Sequence, residues 1–247
     1  MVLELKVKVA LFDIEGTTTS ISFVKDELYS YARNEAETYL THHWQSDEIK
    51  EISRDLQNID EFQDFSRVTN LPDDIDEKLI SQFVVYLINK DLKVKPLKTL
   101  QGFMWKEGYK NGALKGHVFP DVPKAFQDTS AAGVKLYIYS SGSVAAQKLL
   151  FGSTTHGDLL QYLNGHFDLD VGFKQDEGSY VNILRNLGIN GKDAVFFTDI
   201  VNEAEAATKA GIRAIILSRP GNASLTDDDK EKYSVISSFD EIKLTSS

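Results

Sequence analysis

Chemically reactive side chains in this sequence stand where four apolar runs end. In chain order they are Asp13, Glu15, Ser140, Ser141, Lys174 and Asp199. Magnesium prefers a few carboxylate oxygens together with water and phosphate oxygens. Serine hydroxyls and the N–H groups at a helix start cradle a phosphate, and a lysine offsets its negative charge. These residue types therefore indicate phosphoryl transfer.

Each residue has a role in that chemistry and a simpler structural alternative. Asp13 and Asp199 could flank the metal, and Glu15 is placed to move a proton. An aspartate after a strand is, however, often a turn former, Ser-Ser-Gly-Ser is often an ordinary turn, and a lysine is usually a surface charge. Because all of them follow strands of one predicted sheet, the functional interpretation is favoured.

The elements that must position these residues alternate between strand and helix. Strands are predicted at Leu5–Phe12, Val134–Tyr139, His166–Val171, Ala194–Thr198 and Ile212–Leu217, with helices between the later ones. Such alternation predicts an α/β fold, a Rossmann-like parallel sheet with helices on both faces. Ligands of these sheets bind beyond the carboxyl ends of the strands.

Residues 21–114 have a different periodicity. Their apolar residues recur at helical spacing in four stripes, and no strand pattern interrupts them. This predicts an α/β core from residues 1–20 and 115–247 and an inserted all-helical domain, 21–114. Phe23, Met104 and Trp105 are expected to pack inside that domain more often than against a ligand.

Composition excludes several classes of protein. The chain has 247 residues and no cysteine, so disulfides, thiolate metal sites and thiol nucleophiles are excluded. The net charge of −10 argues against binding to nucleic acid or to an anionic membrane. No apolar run approaches the roughly 20 residues that span a bilayer, and no signal peptide is evident. An intracellular location is expected.

Longer strings of residues support a family resemblance. Asp13-Ile14-Glu15-Gly16-Thr17-Thr18 resembles the first motif of the haloacid dehalogenase-like (HAD) hydrolases, and Ser140, Lys174 and Asp199 match the next three. Glu15 replaces the usual aspartate. With Glu15, four further strings resemble the enolase-phosphatases of methionine salvage: 21–25, 137–143, 147–152 and 219–223.

The resemblance implies a complete set of roles. Asp13 would be the nucleophile and Glu15 the acid and base, while Ser140, Ser141 and Lys174 bind the substrate. One Mg²⁺ per chain would be held by Asp13, Glu15 and Asp199. The helical insert would be the cap. The reaction would convert 2,3-diketo-5-methylthiopentyl-1-phosphate to the acireductone 1,2-dihydroxy-3-keto-5-methylthiopentene plus phosphate, in a cytoplasmic, and also nuclear, monomer.

Three alternatives stay open at this point. A capped HAD phosphatase for a sugar phosphate or phosphoglycolate would keep the catalytic residues but not necessarily Glu15. A dehalogenase would not need magnesium, and a non-enzymatic relative would be expected to lack Asp13 or Asp199. Glu203 either orients the metal shell or simply occupies a helix's first turn, where negative charge is favourable; the second is preferred.

Overall fold

The computed structural model describes residues 2–69 and 74–247. They form two compact units: Met1–Val24 with Lys115–Ser247, here called the α/β unit, and Lys25–Leu114, here called the helical unit. The sequence predicted a division at residues 20 and 114.

The chain contains the following strands: β1 (Leu3–Val7), β2 (Val9–Phe12), β3 (Lys135–Tyr139), β4 (Leu163–Phe167), β5 (Ala194–Thr198), β6 (Arg213–Leu217), β7 (Ser234–Ile236) and β8 (Ile242–Ser246). Six of them form one parallel sheet in the order β4-β3-β2-β5-β6-β7. β1 and β8 pair in parallel as a separate two-stranded sheet.

The helices in chain order are α1 (Tyr29–His43), α2 (Asp47–Gln57), α3 (Asp60–Val68), α4 (Glu77–Asn89), α5 (Lys95–Asn111), α6 (Val122–Ala131), α7 (Val144–Gly152), α8 (Glu177–Leu187), α9 (Val201–Lys209) and α10 (Asp227–Lys232). Helices α6 to α10 belong to the α/β unit and lie between or after its strands. The predicted α/β class, a parallel sheet with helices on both faces, is confirmed.

The two central strands of the six-stranded sheet are fully buried. Every residue of β2 and of β5 is buried, as expected where helices cover both faces of a parallel sheet. Tyr139, Tyr180 and Phe196 pack together in one core cluster with α8 and α9. Phe12 contacts Phe126, of α6, with ring centroids 5.0 Å apart. The two strands that precede Asp13 and Asp199 are therefore held rigidly.

Two predicted strands were wrong in detail. Leu5–Phe12 is two strands in two different sheets, because the chain bends at Lys8, whose N–H donates to the Asp193 carbonyl at 2.7 Å. The strand predicted at His166–Val171 is β4, Leu163–Phe167, and a 3-10 turn follows at Leu169–Val171. Elements α10, β7 and β8 were not predicted.

In its described part, the helical unit contains helices and no strand. Its five α-helices follow a π-helical segment, Phe23–Leu28, whereas the sequence showed four stripes; α3 is the addition. Met104 is completely buried in the unit's own core. The indole N–H of Trp105 donates to the Leu28 carbonyl at 2.9 Å. Across residues 2–69 and 74–247, the chain has no helix with the length and apolarity to span a membrane.

Candidate active site

Three of the predicted residues lie at the carboxyl ends of neighbouring strands. Phe12, the last residue of β2, is in register with Ile138 of β3 on one side and with Phe197 of β5 on the other. Asp13 directly follows β2, Ser140 follows β3 and Asp199 follows β5. Neighbouring strands lie about 4.8 Å apart, so these residues share one edge of the sheet.

Asp13 is held in a tight loop. Its N–H donates to the Phe197 carbonyl at 2.9 Å, and its Oδ2 accepts from the Thr17 hydroxyl at 3.3 Å. The N–H groups of the three threonines 17–19 all converge on the Ile14 carbonyl. Gly16 has φ +77°, and a Cβ there would lie 2.3 Å from Asp199 Oδ2. The loop therefore needs glycine at this position and brings Asp199 against it.

Lys174 connects two buried carboxylates. Its ammonium forms ion pairs with Asp13 Oδ1 and, at 2.7 Å, with Glu203 Oε2. The Thr198 hydroxyl also donates to Glu203 Oε2, at 2.7 Å. The Tyr180 hydroxyl donates to the Lys174 carbonyl at 2.7 Å, which fixes the backbone from which this side chain extends.

The preferred interpretation of Glu203 as a helix-turn charge was incomplete. Glu203 does lie in the first turn of α9, but its side chain is buried and ion-paired with Lys174. It is thus a site residue that the sequence analysis did not assign. Its position was an available signal, since it follows Asp199 by four residues and lies in the first turn of the helix that leaves this strand end.

Burial and neighbouring charges shift the pKa values of Asp199, Glu203 and Lys174. Burial, then the charge of Asp13, raises the pKa of Asp199 to about 7. The same two causes raise the pKa of Glu203, against the opposing effect of Lys174. Burial alone would lower the pKa of Lys174, but the neighbouring Asp13 and Glu203 carboxylates outweigh it and the pKa is raised. Lys174 is therefore an ammonium throughout the neutral range.

The charges fit a divalent cation. When ionised, three buried carboxylates face a single ammonium here, an excess of two negative charges. Asp199 Oδ1 is buried with no hydrogen-bond partner, and such an oxygen is costly unless something binds it. Within the described ranges, no group of three or more His, Cys, Asp or Glu side chains is placed so that it could hold a metal ion. The set Asp13, Glu15 and Asp199 stays a prediction.

The serines that were predicted to cradle a phosphate lie in the loop that follows β3. Ser140 is buried, its N–H donates to the Phe167 carbonyl at 3.2 Å, and its hydroxyl accepts from the Gly142 N–H at 3.3 Å. The hydroxyl proton of Ser140 is thus available for another acceptor. Ser141 and Glu15 are exposed. In the part of the chain that is described, no hydrogen bond joins either serine to Asp13.

Gln147 supports this loop and was not predicted as a site residue. Its side-chain N–H₂ group donates to the Gly142 and Phe167 carbonyls, both at 2.8 Å, and its oxygen contacts His166 Nδ1 at 3.1 Å. The string Gln147–Gly152 contributed to the family resemblance, but it gave no indication that its first residue bonds backward to the loop.

Comparison with known proteins identifies the family of the chain. A family model for haloacid dehalogenase-like hydrolases matches residues 7–211. The matched range includes Asp13 and its loop, the loop of Ser140 and Ser141, Lys174 and Asp199. The chain belongs to the haloacid dehalogenase-like hydrolase family, and the resemblance predicted from its motifs is confirmed.

Individual relatives with high sequence identity carry the name enolase-phosphatase, which states an enolase and a phosphatase activity. The chain is 53% identical to enolase-phosphatase E1 of Drosophila willistoni over 97% of this chain and 98% of that protein. It is 52% identical to enolase-phosphatase E1 of Drosophila melanogaster over 94% of this chain and 91% of that one. Among solved structures, the UTR4 protein of Saccharomyces cerevisiae matches with TM-score 0.76 and 33% identity, covering 94% of this chain and 98% of that one.

Proposed function

We propose that the chain is a magnesium-dependent enolase-phosphatase. Its substrate would be 2,3-diketo-5-methylthiopentyl-1-phosphate and its products the acireductone 1,2-dihydroxy-3-keto-5-methylthiopentene and phosphate, as a step in methionine salvage. The observation that carries the proposal is the contact of Asp13 with Lys174 at the end of a central strand, beside the unpartnered Asp199 oxygen. The identity to proteins of that name supports the choice of substrate.

Asp13 acts as the nucleophile in phosphate loss. Its carboxylate oxygen bonds to phosphorus, the bond between phosphorus and the ester oxygen breaks, and Glu15 gives that oxygen its proton. Glu15 then takes a proton from water, whose oxygen attacks phosphorus and releases phosphate from Asp13. The exposure of Glu15 suits this second step, because water reaches it. Lys174 holds the attacking carboxylate in place and offsets its charge.

Enolisation precedes phosphate loss in this proposal. A base removes a proton from the carbon that bears the phosphate ester, and the electron pair moves onto the neighbouring carbonyl to give the enolate. The enolate oxygen takes a proton from water to give the enol. Glu15 is the base already at the site. Ser140 offers its hydroxyl proton and Ser141 its exposed hydroxyl for the phosphate oxygens, which keeps the ester beside Asp13 during both steps.

Asp13 and Asp199, with Glu15, would hold one Mg²⁺. When bound, the ion supplies positive charge that reduces the repulsion between a carboxylate and a phosphate dianion and that polarises a carbonyl. The two excess negative charges of the buried cluster and the unpartnered Asp199 oxygen support this assignment. We further propose that the helical unit is the cap, and that the protein is a cytoplasmic and nuclear monomer without nucleic-acid partners.

The test is an assay on the diketo phosphate and on a panel of simple phosphate esters, with Mg²⁺ or with a chelator. We expect ultraviolet absorption from the enediol only with the diketo substrate and Mg²⁺ present, and phosphate release that is much faster from this substrate than from any simple ester. Efficient release from a sugar phosphate or phosphoglycolate without any enediol signal would overturn the enolase-phosphatase proposal and favour the other capped phosphatase.

A further inference from the structure

The segment Arg219–Ala223 has no role in the proposed reaction, but it contacts the loop that follows Asp13, here residues 14–19. Arg219 lies two residues after β6, and its side chain is only 5% exposed. Its Nε donates to the Thr17 carbonyl at 3.2 Å. The side-chain N–H₂ group of Asn222 donates to the Gly16 carbonyl at 2.9 Å and to the Leu217 carbonyl at 3.1 Å. Both residues belong to the α/β unit, as the loop does.

A third donor completes the set. The backbone N–H of Phe119 donates to the Thr18 carbonyl at 3.0 Å. Three consecutive carbonyls, those of residues 16–18, are therefore each bonded to a donor from outside the loop. A loop held at every carbonyl over a full turn has little freedom to shift. The residue immediately before this turn is Glu15, and the turn packs on Asp199 through Gly16.

Arg219 is itself fixed on all sides. Its Nη2 donates to Asp121 Oδ2 at 2.8 Å and its Nη1 to the Ser237 carbonyl at 2.9 Å. The guanidinium lies 4.4 Å from the centroid of the Phe119 ring and 5.2 Å from that of Phe239. The planar guanidinium can bond to all of these acceptors and stack on both rings at once, whereas a lysine ammonium cannot.

We infer that Arg219 and Asn222 are positioning residues for the acid-base step, because they fix the loop on which Glu15 follows Asp13. The inference rests on the proposed roles of these two residues. Besides its hydrogen bonds to Thr17 and Thr18, Asp13 is held by β5 and by Lys174, so loosening the turn displaces Glu15 more than Asp13. A misplacement of about 1 Å in a catalytic group costs up to 10²-fold in rate.

The test compares Arg219→Ala, Arg219→Lys and Asn222→Ala with wild type. The control is Arg213→Ala, which removes an exposed arginine from the start of the same strand. We expect kcat to fall roughly 10- to 100-fold in the Arg219 variants and in Asn222→Ala, with KM within about twofold. Added guanidinium is expected to restore part of the kcat of Arg219→Ala in a saturable manner, and to leave the control unchanged.

Kinetics are measured well below each variant's Tm, with the diketo phosphate and with whichever simple ester wild type cleaves. A fall in Tm with kcat unchanged would overturn the positioning role and leave Arg219 structural. Should Arg219→Ala be insoluble, Asn222→Ala decides alone, because this residue is partly exposed and its removal leaves the arginine network intact. Absence of enediol from wild type would refute the proposed function, but the comparison on the simple ester would still stand.

Discussion

At the scale of single residues, the site is a buried charge cluster built at strand ends. Asp13, Asp199 and Glu203 are all carboxylates, and Lys174 is the ammonium that contacts two of them. Separate removal of each charge therefore has a different expected outcome. Loss of Asp13, the proposed nucleophile, is expected to remove the reaction, whereas loss of a carboxylate beside it is expected to relieve repulsion in the metal-free protein.

Asp13→Asn is expected to abolish turnover while keeping the fold. An amide cannot form the aspartyl-phosphate, an acyl phosphate, so kcat is expected to fall by roughly 10⁴-fold or more. The amide keeps the shape of the side chain in its loop. Phosphate release and far-ultraviolet circular dichroism on the same preparation check both statements. Full activity in the folded variant would refute the nucleophile assignment.

Asp199→Asn is expected to raise Tm when divalent cations are removed. The folded-state pKa of Asp199 is about 7, above its ordinary 3.8, so the folded protein binds the extra proton between these values. The free energy of unfolding consequently falls as pH rises from about 4 to 7. In chelator at pH 8 the variant should exceed wild type in Tm, and the difference should shrink at pH 5.

The effect of Mg²⁺ on Tm is a second test of Asp199→Asn. It should raise the Tm of wild type, since a ligand that binds only the folded state stabilises it, and raise that of Asp199→Asn much less. Asp193→Asn, at a surface ion pair with Lys8, is the control and should respond as wild type does. An equal Mg²⁺ response in wild type and Asp199→Asn would contradict a role of Asp199 in holding the ion.

The positions of some site residues could be predicted from the sequence, but the ion pairs between them could not. Asp13, Ser140 and Asp199 directly follow buried strands, and a strand end is visible in the pattern of apolar residues. The ion pair of Lys174 with Glu203 joins a turn after β4 to the start of α9. Its existence depends on how two distant segments pack, and neither residue has a local signature of that pairing.

At the scale of elements, the same distinction holds. Strand β5 was predicted with its observed bounds because both ends of its apolar run are marked by polar residues. The break at Lys8 was missed, since a lysine within an alternating strand is an ordinary solvent-facing residue. Helix α10, Asp227–Lys232, contains only Asp, Lys and Glu, so it carries no apolar periodicity that could reveal it.

His117 links the segments of the α/β unit that precede and follow the inserted residues. Its Nδ1 lies 2.9 Å from the Thr19 hydroxyl and accepts the Ser20 N–H at 3.3 Å. Burial, and then the charge of His156, lowers the pKa of His117 below its usual value. The neutral ring is therefore the folded form, and its contribution to stability is present above about pH 6.5 and lost as pH falls through the lower folded-state pKa.

His117→Asn is expected to flatten this part of the pH dependence. The asparagine oxygen can accept from Ser20 but does not titrate. Tm measured by calorimetry between pH 7.5 and 5 should fall less in the variant than in wild type. His42→Asn, on an exposed position of α1, should keep the wild-type slope. Identical slopes in His117→Asn and wild type would exclude His117 as the titrating group.

At the scale of the whole molecule, the chain is divided into two units that each have a core of their own. Replacing residues 25–114 with a short Gly-Ser linker is expected to leave an α/β unit that unfolds cooperatively. Phe23 and His117 lie one and two residues from the cut ends, and their ring centroids are 5.8 Å apart, so we expect a short linker to span the gap. Circular dichroism and thermal unfolding check this; a molten product would contradict it.

The pairing of β1 with β8, with Leu3 opposite Ile242, has a consequence for synthesis on the ribosome. Strand β2 is made early, but its neighbours β3 and β5 come only after the helical unit. That unit is formed by one continuous stretch of the chain, so we expect it to fold first, whereas distant strand pairing is slow. Each nascent chain therefore carries the apolar strand β2 without neighbours until β3 and β5 emerge, and β1 without its partner until β8 emerges. The interval before β3 and β5 emerge is when we expect the chain to be most exposed to aggregation.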